Sequence, residues 1–478
     1  MIELALDCVN VPVKNQDLLL QRPRPIRDIR AHANERQQNR HKSSSREIPV
    51  GQVFNPQRSC TPPEPVRSHI KDYKDYNDWN QMATRPKLAA ITTVYRKYSH
   101  TQHIVDRFLE GYGWNGRHHH PAMDLASLYV DQVPAEDLSR DRGARFPRMK
   151  IYSTIAEALT CGTGKLAVDG VVVVGEHGDY PKAEKGQVQY PRYRFFQEMV
   201  TVFRSSGRSV PVFNDKHLSW NWEWAKSMYN TSRELGFPYM AGSSLPVTWR
   251  IPSVEFPHNA SVTEALCVCY GGVDSYDFHG LETIQCMVER RRGGESGVNW
   301  LQAYRGDKFW QALRDGVWQR ELMNAALCRS HTLTPSRPGF NDTFPTLEDM
   351  QRLTRNPVAY RYEHADGLKS TMLLMNGLVS DFNFAAFVNG SSKPFSTQMY
   401  LPMPDGRTTL ANFFSPLVYN MELMFLSGKA TYPLERTLLT TGLTAAGVDS
   451  LYAGQTRLDT PHLAIKYQPA VQSTYWRT

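Results

Sequence analysis

The sequence lacks the features that mark membrane-spanning and disulfide-stapled proteins. Its 478 residues contain no apolar run of the roughly 18 residues that a transmembrane helix needs. The longest, residues 168–174, is interrupted by Asp169 and predicts a buried strand. The start, residues 1–6, is weakly apolar and has no basic leader. The seven cysteines form no C-x-x-C pair. We therefore expect a cytoplasmic protein without a membrane partner.

The positive charge is concentrated near the N-terminus. The formal net charge is +8, yet between Arg22 and Arg85 there are 13 Lys and Arg residues against 7 Asp and Glu. We therefore favour a solvated tail over a nucleic-acid-binding surface. Residues 20–86 are also rich in Arg, Pro, Gln, Asn and Ser, and such a stretch cannot bury enough apolar surface to offset its ordering entropy. Residues 1–86 are predicted to form a basic, mostly irregular N-terminal extension.

From Lys87 onward, strand-like and helix-like segments alternate. Short apolar runs predict strands and amphipathic stretches predict the helices between them. The predicted strands are residues 88–95, 125–130, 151–152, 168–175, 210–214 and 239–242. Because crossovers between parallel strands need helices, the pattern predicts a parallel sheet covered on both faces over residues 87–250. Ligands of such sheets bind beyond the carboxyl ends of the strands, so the residues after each strand are the candidates for function.

Beyond residue 250 the alternation stops. Apolar runs at residues 262–270, 359–364, 368–375, 382–388 and 395–401 predict strands. Ala365-Asp366-Gly367 is a hairpin signal between two of them. Helices are predicted at residues 280–290 and 433–446. This half, residues 251–478, is predicted to be an α+β domain dominated by antiparallel strands.

The order of these elements resembles that of the Gfo/Idh/MocA oxidoreductase family. Residues 151–159 and 168–174 are similar to its strand–helix and strand segments before the active site. Asp215-Lys216-His217 stands where the family has Glu-Lys-Pro, and residues 278–282, Phe-His-Gly-Leu-Glu, resemble its His-x-x-Asp motif. The resemblance covers about residues 87–470. It implies a Rossmann-like dinucleotide-binding domain followed by an open, mostly antiparallel sheet used for substrate binding and oligomerisation.

The resemblance breaks directly after the first strand, where the family's Gly-rich fingerprint is missing. Residues 92–100, TTVYRKYSH, stand in its place. Glycines there normally let the backbone approach the pyrophosphate of a dinucleotide. A helix N-terminus still offers free N–H groups and the positive end of a dipole. We expect NAD or NADP to contact residues in this segment and after the second and fourth strands: Thr93, Tyr95, Ser99, His100, Asp131, Gly175, Glu176 and His177.

The resemblance implies catalytic roles for Lys216 and His279. In the family this lysine lies near the nicotinamide and supports proton transfer, and the histidine relays the proton of the hydroxyl being oxidised. Imidazole suits that task because its pKa lies near neutrality. Asp215, His217 and Glu282 are then the candidate substrate-binding residues. A lysine in a surface turn and a core histidine at a helix start are the structural alternatives.

Three functions follow, of which an NAD(P)-dependent oxidoreductase acting on a sugar, polyol or related hydroxyl compound leads. The missing glycines keep two others open. His177, His217 and His279, with nearby carboxylates, could hold a divalent metal in a non-redox lyase, epimerase or hydrolase. Alternatively, the chain is a catalytically silent relative used for binding or assembly.

We expect a small-molecule partner and a homo-oligomer formed through the C-terminal sheet. The run His118-His119-His120 is predicted to be an exposed loop.

The composition of the N-terminal extension leads to a first prediction. If residues 1–86 contribute little to the core, limited proteolysis should remove them first and leave a fragment beginning near Lys87. Mass spectrometry of the earliest fragments measures this directly. Protection of the extension over the same digestion time would contradict the prediction.

Overall fold

A computed structural model describes residues 85–337, 339, 344–402 and 410–477. Apart from its last two residues, the N-terminal extension lies outside the described residues. Within the described ranges, no helix is long and apolar enough to cross a membrane.

The first half holds eight strands and five helices in the order of a βα repeat interrupted by one hairpin. In chain order they are β1 (Lys87–Thr92), α1 (His100–Glu110), β2 (Tyr112–Trp114), β3 (Arg117–His119), β4 (Asp124–Val130), α2 (Ser139–Arg145), β5 (Lys150–Tyr152), α3 (Ile155–Thr160), β6 (Gly170–Val174), α4 (Arg192–Ser206), β7 (Val212–Asp215), α5 (Trp222–Glu234) and β8 (Tyr239–Gly242). Strands β2 and β3 pair only with each other.

The other six strands form one parallel sheet with the order β5-β4-β1-β6-β7-β8. Counted without the hairpin, this is the 3-2-1-4-5-6 order of a doubly wound dinucleotide-binding fold. Ala89 pairs with Val171 and Ile91 with Val173, so β1 and β6 are parallel neighbours. All five residues of β6 are buried, as expected for a strand covered on both faces. The predicted Rossmann-like sheet is confirmed, and its chain order reverses between β1 and β6.

The second half contains the remaining elements. They are β9 (Arg250–Ile251), β10 (Val262–Cys269), α6 (Tyr276–Val288), β11 (Val298–Arg305), α7 (Asp307–Arg314), α8 (Arg320–Leu327), α9 (Leu347–Leu353), β12 (Val358–His364), β13 (Lys369–Leu374), β14 (Phe382–Val388), β15 (Phe395–Met399), α10 (Ser415–Ser427), α11 (Leu434–Tyr452) and β16 (Arg457–Asp459).

Eight of these strands form a second sheet, with the order β16-β11-β12-β13-β10-β14-β15-β9. Only β10 and β13 are parallel; the other pairs are antiparallel. The predicted hairpin at residues 365–367 joins β12 to β13, and Gly367 has a φ of 88°. The expected α+β region dominated by antiparallel strands is therefore confirmed.

Two late helices return to the first sheet. Residue 170, at the start of β6, has no room for a Cβ, which would lie 2.6 Å from a ring carbon of Phe425 on α10. On α11, the Thr437 hydroxyl donates to the Ala241 carbonyl of β8 at 2.6 Å. Helix α11 is also longer than the predicted 433–446, and α10 was not predicted. Both helices have buried residues around most of their circumference, so no amphipathic stripe reveals their ends or their partners.

The prediction of an exposed loop for the three consecutive histidines is correct only in part, because His118 and His120 are exposed but the run begins in a strand. His118 and His119 belong to β3, and the His119 Nε2 atom lies 2.7 Å from the Glu422 carboxylate on α10. That carboxylate is fully buried and also accepts from the Ala122 backbone N–H. A buried carboxylate needs such donors, which accounts for the placement of His119 beside α10.

Helix α6 packs closely against the second sheet and holds two candidate residues. A Cβ at Gly280 would lie 2.6 Å from Met372 and 2.7 Å from Cys269. We expect Gly280→Val to destabilise the fold by about 1–3 kcal/mol, because it overpacks this interface. Gly113→Ala is the matched control, since nothing lies within 4 Å of its added Cβ. Urea unfolding compares the two; equal free energies of unfolding would contradict this packing.

Candidate functional site

Four segments converge at the carboxyl ends of β6, β7 and β8. Glu176 follows β6, Lys216 follows β7, and Ser243 follows β8. His279 and Glu282 project from α6 of the second half. Polar contacts connect these segments. Lys216 Nζ lies 3.3 Å from Glu176 Oε1, and Ser243 is within hydrogen-bonding distance of both His279 and Glu282. The two predicted catalytic residues, from different halves of the chain, thus belong to one buried cluster.

Glu176 is the ionic centre of this cluster. Its Oε1 atom faces Lys216, and its Oε2 atom accepts from Arg192 at 2.5 Å. Burial alone would raise the pKa of Glu176, but the two cations hold it well below its usual range. Burial alone would lower the pKa of Lys216, yet the adjacent Glu176 carboxylate raises it. Glu176 and Lys216 are therefore both charged at neutral pH. A Cβ at Gly175 would lie 2.5 Å from Arg192, so glycine makes room for that arginine.

The backbone at Lys216 is strained. Its φ is 63°, a left-handed conformation that costs a non-glycine residue about 1–3 kcal/mol. Its N–H donates to the Gly242 carbonyl at 3.1 Å, which fixes the turn after β7 to the end of β8. His177 also has a positive φ, 68°. Backbone strain of this kind is often found where a side chain must be aimed at a ligand.

His279 is held by Ser243 and Glu282. Its Nδ1 atom lies 3.1 Å from the Ser243 hydroxyl and 3.4 Å from Glu282 Oε2. The Ser243 hydroxyl itself donates to Glu282 in a short hydrogen bond, and the Ser243 N–H donates to the other oxygen at 2.9 Å. Burial and the charge of Lys216 lower the pKa of His279 well below its ordinary value. Burial raises the pKa of Glu282 to about 7.

The ring of Tyr276 connects the two candidate catalytic side chains. Lys216 Nζ lies 5.7 Å from its centroid, within the range of a cation–π contact. The His279 ring lies 5.5 Å from the same centroid in an edge-on arrangement. Tyr276 is the first residue of α6 and is half-buried. The lysine and the histidine therefore border one aromatic wall.

Several polar atoms in the crevice have no hydrogen-bond partner in the described part of the chain. They include Asp215 Oδ1, His177 Nε2 and Asn214 Oδ1. The other Asp215 oxygen lies 2.7 Å from His100 Nδ1, and the His100 and His177 rings lie 5.3 Å apart. Burial and the nearby His100 lower the pKa of His177 to about 3. Unpaired buried oxygen and nitrogen atoms are suited to a ligand that offers both hydrogen-bond donors and acceptors.

His217 lies on the opposite side of Lys216, against the arginine. Its ring nitrogens are 3.3 and 3.4 Å from Arg192 Nη1, and Phe278 packs edge-on to its ring. Burial and that guanidinium lower the pKa of His217 well below its ordinary value. His217 is therefore a neutral imidazole at neutral pH.

The segment after β1 contains one left-handed residue and a capped helix start in place of the expected glycines. Tyr98 has a φ of 65°, and Ser99 caps α1 by accepting from the Gln102 N–H at 3.2 Å. Two predicted cofactor ligands direct their side chains into the protein. The Thr93 hydroxyl donates to the Glu176 carbonyl at 2.6 Å, and the Tyr95 hydroxyl donates to Asp106 at 2.5 Å. They can offer a cofactor little besides their backbone groups.

Asp131, the predicted ribose ligand, already accepts three hydrogen bonds. Its donors are the hydroxyls of Tyr129 and Tyr180, each at 2.7 Å, and Arg194 at 2.5 Å. Burial would raise the pKa of Asp131, but these donors lower it. Tyr180 comes from the segment after β6, so this segment reaches across the crevice to β4. A carboxylate offers about four acceptor positions, which leaves room for one further donor.

The residues present suit a dinucleotide at one end of the crevice better than at the other. The N-terminus of α1 and the unpaired atoms of Asp215 and His177 fit a polar ligand at the point where the strand order reverses. At the far end, the Tyr180 hydroxyl donates to Asp131 and takes one of the acceptor positions of that carboxylate. In the described ranges, no group of three or more His, Cys, Asp and Glu side chains could hold a metal ion.

Ser243, Arg192 and Tyr276 are members of the site that the sequence analysis missed. Ser243 follows β8 directly, so the rule that selects residues after each strand would have found it. Arg192 opens α4, far from any strand end, and no local pattern distinguishes it from a solvated arginine. Its burial follows from tertiary contacts, among them those with Glu176 and His217.

Comparisons with known proteins yield structural likeness without sequence similarity. No protein-family model matches the chain, and no curated protein is similar to it in sequence. Among solved structures, the chain is similar to GenD2 from gentamicin A biosynthesis in complex with NAD (12% identity, TM-score 0.47, covering 79% of this chain and 97% of that one). It is also similar to a myo-inositol dehydrogenase from Corynebacterium glutamicum (10%, 0.42, 79% and 99%). A third is a super-repressor mutant of Gal80p from Saccharomyces cerevisiae (9%, 0.46, 80% and 100%). At this identity the likeness concerns the fold, which the strand order establishes independently.

The ionic centre predicts a pH-dependent loss of stability. Glu176→Gln should destabilise the fold by about 3–5 kcal/mol at pH 7, because it leaves Lys216 and Arg192 buried without a counter-charge. The folded-state pKa of Glu176 is lowered, so its contribution is complete above its unfolded pKa of about 4.3, declines as the pH falls below that value, and is lost as the pH falls through the lowered folded-state pKa. The difference between wild type and variant should therefore shrink in acid.

Denaturant unfolding of both proteins from pH 7 to pH 3 measures this. The control is Glu198→Gln, at an exposed glutamate paired with Arg194, and it should change little at any pH. A difference for Glu176→Gln that is small at pH 7, or constant with pH, would contradict the arrangement.

Proposed function

We propose that the chain is a divergent member of the Gfo/Idh/MocA family and an NAD(P)-dependent oxidoreductase. Its substrate would be a hydroxyl group of a sugar, a polyol or a related small molecule. One observation carries the proposal: Lys216 and His279, supplied by opposite halves of the chain, border the same Tyr276 ring beside the strand-order reversal. The solved structures similar in fold add support, since their descriptions include a complex with NAD and a myo-inositol dehydrogenase.

NAD or NADP would lie across the carboxyl ends of β1, β6 and β7. The pyrophosphate would face the N-terminus of α1 at Ser99 and His100, where the segment from Thr93 to Tyr95 shapes the turn. Asp131 would accept from a ribose hydroxyl. Residues 175–177, Gly-Glu-His, would flank the nicotinamide. When bound, the nicotinamide supplies the acceptor or donor of a hydride.

His279 is suited to accept the hydroxyl proton of a substrate. Its lowered pKa keeps the imidazole neutral at neutral pH. With Nδ1–H donating to the Ser243 hydroxyl, which donates onward to Glu282, the lone pair of Nε2 remains as the proton acceptor. Ser243 and Glu282 would then act as positioning residues that fix the tautomer of His279.

Lys216 would bind the same substrate oxygen. Its ammonium group is held in place by Glu176 and remains charged, so it can stabilise the negative charge that develops as the proton leaves. Asp215, with one unpaired carboxylate oxygen, would accept from a neighbouring substrate hydroxyl. His217 lies at the same edge and would complete the substrate-binding set.

A catalytically silent relative is the second candidate function. The hydrogen bond from Tyr180 to Asp131 favours it, because that contact takes one of the acceptor positions that a ribose would use. The absence of glycines in residues 92–100 points the same way. A binding test separates the two candidates, since a silent relative that has lost the phosphate-binding turn gains no stability from a dinucleotide.

Homo-oligomerisation through the second sheet stays a proposal. At the β9–β15 edge, Ile251 and Tyr400 expose large apolar side chains, with 39% and 37% of their surfaces accessible. Such an edge suits pairing with a second copy.

Dinucleotide binding is the first test of the proposed function. Millimolar NAD or NADP should raise the melting temperature, because a ligand at 100 times its Kd stabilises the native state by about 2.7 kcal/mol. Lys216→Ala should reduce turnover of a polyol by about 100- to 10,000-fold. Lys226→Ala, at an exposed lysine on α5, is the control and should leave turnover unchanged. A melting temperature that responds to neither dinucleotide would reject the oxidoreductase in favour of the silent relative.

Ser243→Ala tests the positioning role. We expect kcat to fall about tenfold or more with little change in KM, since the substrate contacts remain. The pH–rate profile should also shift, because His279 loses the partner that fixes its tautomer. Ser243→Thr keeps the hydroxyl and should restore part of the activity. An Ala variant with the wild-type pH profile would show that Ser243 is only structural.

A further inference from the structure

A second polar cluster surrounds a small cavity in the other half of the chain, independent of the proposed function. The cavity lies between β9, α6, α11 and the segment at residues 470–474, and its volume is about 10 Å³. That is room for one water-sized particle. The charged groups on its wall are three arginines and two glutamates: Arg250, Arg290, Arg436, Glu255 and Glu289. The wall therefore carries one more positive than negative charge.

Three hydrogen-bond donors on this wall have no partner among the described residues: Arg250 Nε, Arg436 Nη1 and Ser473 Oγ. The two arginines are only 4% and 3% exposed. Other nitrogens of Arg436 bond Glu289 at 2.8 and 2.5 Å. The hydrogen bonds of Arg250 to oxygen are long, 3.4 Å to Glu255 and to the carbonyls of Pro246 and Val254, and its guanidinium lies over the Tyr475 ring. A buried cation whose hydrogen-bond donor has no partner lowers the stability of the fold, so an acceptor at this position would be stabilising.

The two glutamates on the wall already accept from other groups. Glu289 accepts from Arg436 and from the Tyr467 hydroxyl, and Glu255 faces Arg250 and two further arginines. The thiol of Cys286 also borders the cavity, but burial raises its pKa to about 12, so it adds no negative charge at neutral pH.

We propose that this cavity binds a single chloride ion. A monatomic anion accepts hydrogen bonds from both guanidinium groups and the serine hydroxyl, and it neutralises the excess charge. A single water-sized position suits a monatomic anion better than a polyatomic one, and the three arginines disfavour a cation. The ion would tie α6 and α11 to the C-terminal segment through Ser473, which makes the stability of the fold dependent on chloride.

Thermal unfolding of the full chain in sodium chloride and in sodium gluconate at equal ionic strength tests the proposal. We expect a saturable rise in melting temperature with chloride alone. Ser473→Ala should raise the half-saturating chloride concentration about tenfold, because it removes one hydrogen bond to a charged group. Ser391→Ala, on a turn outside the cavity, should leave that concentration unchanged. Anomalous diffraction from crystals soaked in bromide should show one peak between Arg250 and Arg436.

Two results would overturn the site. Equal melting temperatures in the two salts, without a bromide peak, would mean that water occupies the cavity. A chloride effect with the same midpoint in Ser473→Ala would place the anion elsewhere.

Discussion

The candidate site depends on one interaction, the sharing of the Glu176 carboxylate between Lys216 and Arg192. Two cations and one anion are buried together, and each would be costly alone. The carboxylate keeps Lys216 charged, and the lysine in turn lowers the pKa of His279. Burial and the Arg192 guanidinium lower the pKa of His217 in the same way. Burial and this ionic centre together therefore keep both His217 and His279 neutral at neutral pH.

Two separate features of the fold position the ionic centre around Glu176. The first is the strand order, which brings the ends of β1, β6 and β7 to one edge of the parallel sheet. The second is helix α6, which presents His279 and Glu282 from the other sheet to Ser243 after β8. Helix α11 reinforces the junction, since Thr437 bonds the β8 backbone. The positive φ of Lys216 persists because the backbone bond to Gly242 holds it.

Much of this was accessible from the sequence, because strands and the residues after them are local features. The run VDGVVVV defines β6, and the rule that ligands bind at strand ends selected Glu176 and Lys216. The placement of α10 and of Arg192 was not accessible. Helix α10 is apolar around most of its surface, and the burial of Arg192 depends on a carboxylate 16 residues away in another element. The hydrogen bond from the Tyr180 hydroxyl to Asp131 is also a tertiary contact that the sequence does not reveal. Like the missing glycines, it favours the catalytically silent relative.

The proposed function requires that the crevice bind a dinucleotide without the usual glycines. Native mass spectrometry of the full chain, incubated in turn with NAD and NADP, tests that requirement without knowledge of the substrate. We expect one dinucleotide bound per chain for at least one of the two, with the complex weakened when His100, at the start of α1, is replaced by Glu. A chain that binds neither dinucleotide would contradict the account.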